Sequence, residues 1–261
     1  MHLLIPIVLL FPIFNLFSYM PGESNIGAKF GVTSQNAKGS ISSVALYSSN
    51  YLFSDYKVDE SESSFALDLE GSINLISLQN GFGIDVASHF HATPSDYFQF
   101  GVNVRPFLKE GGIFSPYLII GICHTTLGEE ENTGNYQLDS GDLFSASLGI
   151  GSAIVFNDFV SINPSFTWNR VEFPNVRLNY SWMDSPFSFN FGKSNSYQLS
   201  LPINLHITEN FSLGLEYRLV MASEVSAEAG GTVNGGVLYG LAYRDMEYSL
   251  HSFLLSSKYT F

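Results

Sequence analysis

Six histidines and a single cysteine are the side chains with the widest chemical range in this chain of 261 residues. His89 and His91 stand two residues apart, which puts both imidazoles on one face of a strand. With a third donor such a pair could ligate a metal. His124 belongs to another strand-like run, and no carboxylate sits at a ligand-like spacing. Polar residues at an external strand end account for all three. Glu129-Glu130-Glu131 with Asp139 and Asp142 offers oxygen donors suited to a hard cation, but without EF-hand spacing it reads as a solvated loop tip. His251 and Ser252 pair a base with a hydroxyl, the ingredients of acyl chemistry, yet Ser and His recur too often here to single them out. Gly230, Gly231, Gly235 and Gly236 match no phosphate-binding fingerprint and are expected to supply flexibility in a loop. Cys123 is alone, so no intramolecular disulfide forms, and it reads as a small strand residue. The expectation is no catalytic, cofactor-binding or metal site, and no enzyme.

Composition indicates what must carry these residues. Charged residues are 13% and aromatics 15%, a balance suited to a wall that faces lipid. The formal net charge of −13 argues against nucleic acid, which attracts basic patches. After the N-terminus no run reaches the ~18 apolar residues of a membrane helix. The remaining way to satisfy every backbone group in lipid is a closed β-barrel. Leu3 to Phe17 is a short apolar run close to Met1 and reads as the core of an export signal, although only His2 precedes it and Pro6 and Pro12 interrupt it. Residues 1–22 are assigned to this signal peptide, with cleavage near Leu16-Phe17-Ser18 or Pro21-Gly22, and residues 23–261 to the barrel domain.

Period-two alternation fills the rest of the chain. Tyr197, Leu199, Leu201, Ile203, Leu205 and Ile207 oppose Gln198, Ser200, Asn204 and His206. Thr208-Glu209-Asn210 turns the chain, and Phe211, Leu213, Leu215, Tyr217 and Leu219 then oppose Ser212, Gly214, Glu216 and Arg218. A second hairpin spans Phe144 to Trp168 about Asn157-Asp158, and a third pairs Phe65–Leu75 with Phe82–Phe90 about Gln79-Asn80-Gly81. Phe98–Val104 turns at Lys109-Glu110-Gly111-Gly112 into Phe114–Ile122. The end of the chain alternates too, from Phe253 to the terminal aromatic Phe261. Between these hairpins Asp55–Ser64, Thr125–Asp142, Val171–Asn195 and Ala222–Tyr248 are polar and read as long loops. Short turns on one side and long loops on the other are the habit of outer-membrane barrels. Ile26 to Phe53 holds one or two strands, with Ala37 to Ser40 as a turn or loop. The expected fold is all-β, an antiparallel up-and-down transmembrane barrel of about 10 strands, with 8 or 12 as alternatives, counted back to roughly Ile41. Arg105, Arg218 and Lys258 share the polar face with Asp68, Glu70, Asp85 and Glu216, which predicts a polar, largely plugged interior.

Phe100-Gly101-Val102-Asn103-Val104-Arg105, followed by Ser115-Pro116-Tyr117-Leu118-Ile119-Ile120-Gly121, resembles the strand–turn–strand unit of OmpA-like and opacity-type barrels. Leu148-Gly149-Ile150-Gly151 through Asn163, and Asn210 through Arg218, are similar to further hairpins of that superfamily. The resemblance implies a bacterial outer-membrane location. It also implies partners in outer-membrane lipid and lipopolysaccharide, and in the barrel-assembly machinery through the strand ending at Phe261. Of activity it implies little, because this architecture hosts adhesins, pores, enzymes and anchors. Omptin-type proteases place Asp and His at the external rim of ten strands. Asp85, His89 and Asp96 are expected near such a rim, but the paired acidic and Asp-x-His motifs are missing and Asp184 has no adjacent His. The expected role is structural or surface-interactive through external loops. A narrow solute pore is the alternative, and an outer-membrane enzyme comes last.

Overall fold

The computed structural model describes residues 20–47, 50–93, 97–109, 113–127, 136–138, 142–172, 175–178, 187–233 and 237–261. Leu3 to Phe17, and with it the body of the expected signal peptide, lies outside the described residues. Every described element is a strand. They are β1 (Asn25–Tyr47), β2 (Asn50–Ser77), β3 (Phe82–Thr93), β4 (Tyr97–Leu108), β5 (Phe114–Leu127), β6 (Tyr136–Leu138) and β7 (Asp142–Asn157). Then follow β8 (Val160–Ile162), β9 (Ser165–Glu172), β10 (Asn175–Leu178), β11 (Phe187–Asn190), β12 (Lys193–His206), β13 (Phe211–Val233) and β14 (Val237–Thr260).

Eleven of these strands form one antiparallel sheet, and β6, β10 and β11 form a small second one. β8 and β9 lie end to end, both pairing with β7 and β12, so the large sheet has ten staves. It closes where β1 meets β14, from Asn25↔Thr260 to Leu46↔Leu238. Closure removes both sheet edges, the only way a sheet can sit in lipid. Polarity is inverted relative to a soluble barrel. Leu199, Leu201, Ile203, Leu213, Leu215 and Phe253 are exposed outside, while Gln198, Ser200, Asn204, Glu216 and Arg218 are buried inside. The alternation read from Tyr197 to Met221 is therefore the two faces of the wall, apolar outward.

Turns at one end follow local chemistry. Asn157 Oδ1 accepts from the Phe159 and Val160 amides, both at 2.9 Å. Thr208 Oγ1 accepts from the Phe211 amide at 3.0 Å, and Asn80 Oδ1 from the Phe82 amide at 3.1 Å. Such side-chain-to-backbone bonds are why Asn and Thr punctuate hairpins. The chain terminus joins this end, where the Phe261 amide donates to the Ser24 carbonyl.

At the opposite end the structure departs from the sequence reading. Ala37–Ser40 is not a turn. β1 runs through it as a single strand, with a bulge against β14 between Lys38 and Ser40. The segment left over in the strand count, Ile26–Val32, is the first half of that strand. Asp55–Ser64 belongs to β2, and most of Ala222–Tyr248 to β13 and β14. Gly230 and Gly231 are strand residues of β13, not loop residues, while Gly235 and Gly236 lie outside the described residues. Thr125–Leu127 extends β5, and Val171–Asn195 contributes to β9, β10, β11 and β12. Two of the expected long loops, Asp55–Ser64 and Ala222–Tyr248, give way to connections as short as the turns below, because the strands themselves lengthen. β1, β2, β13 and β14 have 23, 28, 23 and 24 residues. About 9–11 residues suffice to cross the bilayer, so these four of the ten staves rise well above it.

A charge placed on the lipid face tests this inversion. Leu201→Arg, near the middle of β12, is expected to lower stability by about 2–4 kcal/mol, and Tyr56→Arg, on the raised wall, by about 0–1 kcal/mol. Urea unfolding of the barrel refolded in vesicles measures both.

Candidate functional site: the charged lumen

Inward-facing residues carry the only dense chemistry among the described residues. Four cations, Lys29, Arg105, Arg218 and Lys258, and four carboxylates, Asp68, Glu70, Asp85 and Glu216, are buried there. Their formal charges cancel, so the net charge of −13 comes entirely from the other residues of the chain. Neighbouring staves place them at matching heights. Asp68 is opposite Lys29 on β1 and His91 on β3, and Glu70 is opposite His89.

The contacts form a continuous chain. Lys29 pairs with Glu216 Oε2. Glu216 Oε1 accepts from Arg218 Nε at 3.0 Å and from the Ser200 hydroxyl at 2.8 Å. Arg218 Nη2 reaches across to Asp68 Oδ2 at 3.0 Å, and Asp68 Oδ1 pairs with His91 Nδ1. Both oxygens of both carboxylates are thus engaged. Alongside, Arg105 Nη2 donates to Glu70 Oε1 at 2.9 Å. A dry charge is tolerable only when paired and hydrogen-bonded, and this arrangement supplies both conditions. Gly101 makes room for part of it, because a Cβ there would collide with the His89 imidazole. Staves β5, β7, β9 and β12 complete the circle with neutral groups, among them Ser147, Thr167, Asn169 and Gln198.

Buried apolar residues lie below and above this layer. Phe107, Tyr117 and Ile119 are buried at the lower end. The N-terminal turn lies beside them, its Gly22 amide donating to Asp85 Oδ2 at 2.9 Å while Asn74 Nδ2 donates to Asp85 Oδ1 at 2.7 Å. Above, Val58, Val225, Met246 and Tyr248 are buried, and Phe191 packs on Tyr243 with ring centroids 5.8 Å apart. The interior is therefore a neutralised charged layer with apolar clusters on either side of it.

Several sequence expectations shift here. Arg105, Arg218, Lys258, Asp68, Glu70, Asp85 and Glu216 do share the interior. His89 and His91 are not at an external rim, since both are buried in the charged layer. Asp85 lies at the opposite, turn-bearing end, next to Gly22, and Asp96 and Asp184 lie outside the described residues. His251 and Ser252 point to opposite faces. His251 Nδ1 and the Tyr217 hydroxyl meet at 2.9 Å on the outer wall, while Ser252 is buried inside. His124 faces outward against Phe144, and Cys123 is buried in β5. The acidic run 129–131 and Asp139 lie outside the described residues. The sequence reading missed Lys29, which sits in the segment left out of the strand count. Its signal was its parity with Thr33 and Gln35, opposite to Phe30 and Val32.

A closed sheet with lipid-facing apolar side chains and a charged interior defines a transmembrane β-barrel of the outer-membrane type. Several solved structures are similar to the chain. Ail, the attachment invasion locus protein of Yersinia pestis, is 11% identical, with 92% of this chain and 99% of that chain covered and a TM-score of 0.34. The outer membrane protein OprG from Pseudomonas aeruginosa is 9% identical over 92% and 97% of the two chains, with a TM-score of 0.40. The toluene transporter TodX of Pseudomonas putida is 10% identical over 94% and 91%, with a TM-score of 0.36. No protein-family model and no curated protein sequence matches the chain.

Truncating one member should expose the cost of a stranded charge. Arg218→Leu leaves Asp68 and Glu216 under-compensated and is expected to destabilise the barrel by about 3–5 kcal/mol. Arg105→Met alone should behave similarly, whereas Arg105→Met with Glu70→Leu recovers most of the loss, because no charge is left unpaired. Guanidinium unfolding midpoints, read by heat-modifiable gel migration, distinguish these outcomes.

Proposed function

We propose that the chain is a surface-interaction protein of a bacterial outer membrane, without catalysis, whose barrel is an anchor and whose raised wall is the working part. The supporting observation is the length of β13, β14, β1 and β2 beside staves of 12 to 16 residues such as β3 and β7. Above the bilayer this wall is exposed and acidic on its outer side, with Asp55, Asp59, Glu224, Glu228, Asp245 and Glu247 against Lys38, Lys57 and Arg244. At its tip Leu52 and Phe53 are 66% and 76% exposed, far more apolar surface than solubility requires. An acidic sheet with an apolar tip favours a basic partner carrying some apolar surface. In this reading lipid and lipopolysaccharide solvate the belt, and the barrel-assembly machinery receives β14 with Phe261. The architecture is nearest in kind to OmpA-like and opacity-type anchors.

The test uses the barrel in lipid nanodiscs over a surface coated with a basic polypeptide. Retention should fall several-fold in the triple variant Asp55→Asn, Asp59→Asn, Glu228→Gln, and again when Leu52→Ser and Phe53→Ser are added, with gel migration unchanged. Retention equal to that of the unaltered chain contradicts this role for the wall.

A further inference from the structure

We propose that the outer wall carries a built slot for one acyl chain of a phospholipid in the leaflet on the turn-bearing side. Proline removes a ladder donor and is normally confined to sheet edges or bulges. Here Pro106 and Pro116 lie in adjacent staves within a closed sheet, and Pro164 stands at the break between β8 and β9, all three on the outward side. The β4–β5 pairing runs to Val104↔Ile120 and resumes only at Phe107↔Tyr117, so the ladder lapses at Pro106. Pro116 is opposite Ser152, whose amide bonds to the Pro164 carbonyl at 3.0 Å. Four short outward residues, Pro106, Pro116, Ser152 and Pro164, thus replace the long aliphatic groups that cover the rest of the belt.

The result is a cavity of about 600 Å³, a size ordinary for ligand sites. Its lining is almost wholly apolar, with Leu118 and Ile150 on the rim and Phe107 and Tyr117 sealing it from the lumen. The seal is built deliberately tight, since Tyr117 lies against Gly151, where a Cβ would strike the ring. Two features identify the occupant. The cavity is continuous with the lipid-facing belt, so acyl chains are its neighbours. Exposed Lys109 follows Leu108 of the lining directly, one residue beyond the end of β4, and sets a cation at the water-facing boundary of this part of the barrel. An apolar slot opening on the belt, with a cation at the adjoining strand end, matches a phospholipid better than an uncharged hydrocarbon.

The test uses the refolded chain in phosphatidylethanolamine–phosphatidylglycerol vesicles doped with a phospholipid bearing a diazirine on its acyl chain. After irradiation, labelled peptides are mapped by mass spectrometry. Labelling is expected to be enriched several-fold at residues 106–118 and 150–166 over the belt residues of β12 and β13. Ser152→Phe fills the slot and should abolish the enrichment. Ile150→Trp alters only a lipid-exposed rim residue and should do the same if Ser152→Phe does not fold. Lys109→Glu should reduce it. Uniform labelling around the belt, enrichment that survives both filling variants, or capture of a photoreactive free fatty acid in place of the phospholipid would overturn the proposal.

Discussion

Charge neutrality in the lumen is the constraint on which this structure turns. Eight formal charges cannot leave water unless each finds a partner, and a membrane barrel of ten staves is too narrow to leave them hydrated. Glu216, Arg218 and Asp68 meet that demand by sharing partners. Arg218 binds a carboxylate on its own stave and another three staves away. The pairing ties β13 to β2 across the closing β14–β1 seam, so the charges that are costly to bury also staple the seam that closes the sheet. The register follows from this network as much as from the ladder, because a slip of one residue would turn every charge toward lipid.

The bilayer imposes the complementary condition on the outside. Where lipid touches the wall, side chains are aliphatic or aromatic. Where the wall leaves the bilayer, the same ladder continues with Ser, Glu, Asp and Tyr. Hydrogen bonding between strands does not depend on the side chains, so the sheet extends beyond the membrane without a change of backbone plan. The outer apolar layer of Val58, Val225, Met246 and Tyr248 gives this extension its own small core. Anchor and raised wall are thus one sheet meeting two solvents, and any partner that engages the wall engages an element braced by the barrel below.

Within the bilayer the fold was legible from sequence, because lipid on one side and paired polar groups on the other enforce a period of two. Tyr197–Met221 and Phe65–Phe90 carry that signal residue by residue. It fades in Asp55–Ser64 and Ala222–Tyr248, where water bathes the outer face and polar residues suit it, so strands there read as loops. Height within the barrel was not legible at all. His89 and His91 share a face whatever the register. Only their pairing with Glu70 and Asp68 shows that they belong to the core and not to a rim. The charged layer was visible as a set of residues of one parity, but its connectivity depends on which staves are neighbours, and Lys29 entered only when β1 proved continuous.

Single-channel recording in planar bilayers tests the central claim most directly. A chain refolded from detergent, shown to be closed by heat-modifiable migration, should insert and remain electrically silent if its paired charges and buried side chains plug the lumen. Steady stepwise conductance from the unaltered chain would contradict a plugged lumen and make the barrel a narrow solute pore.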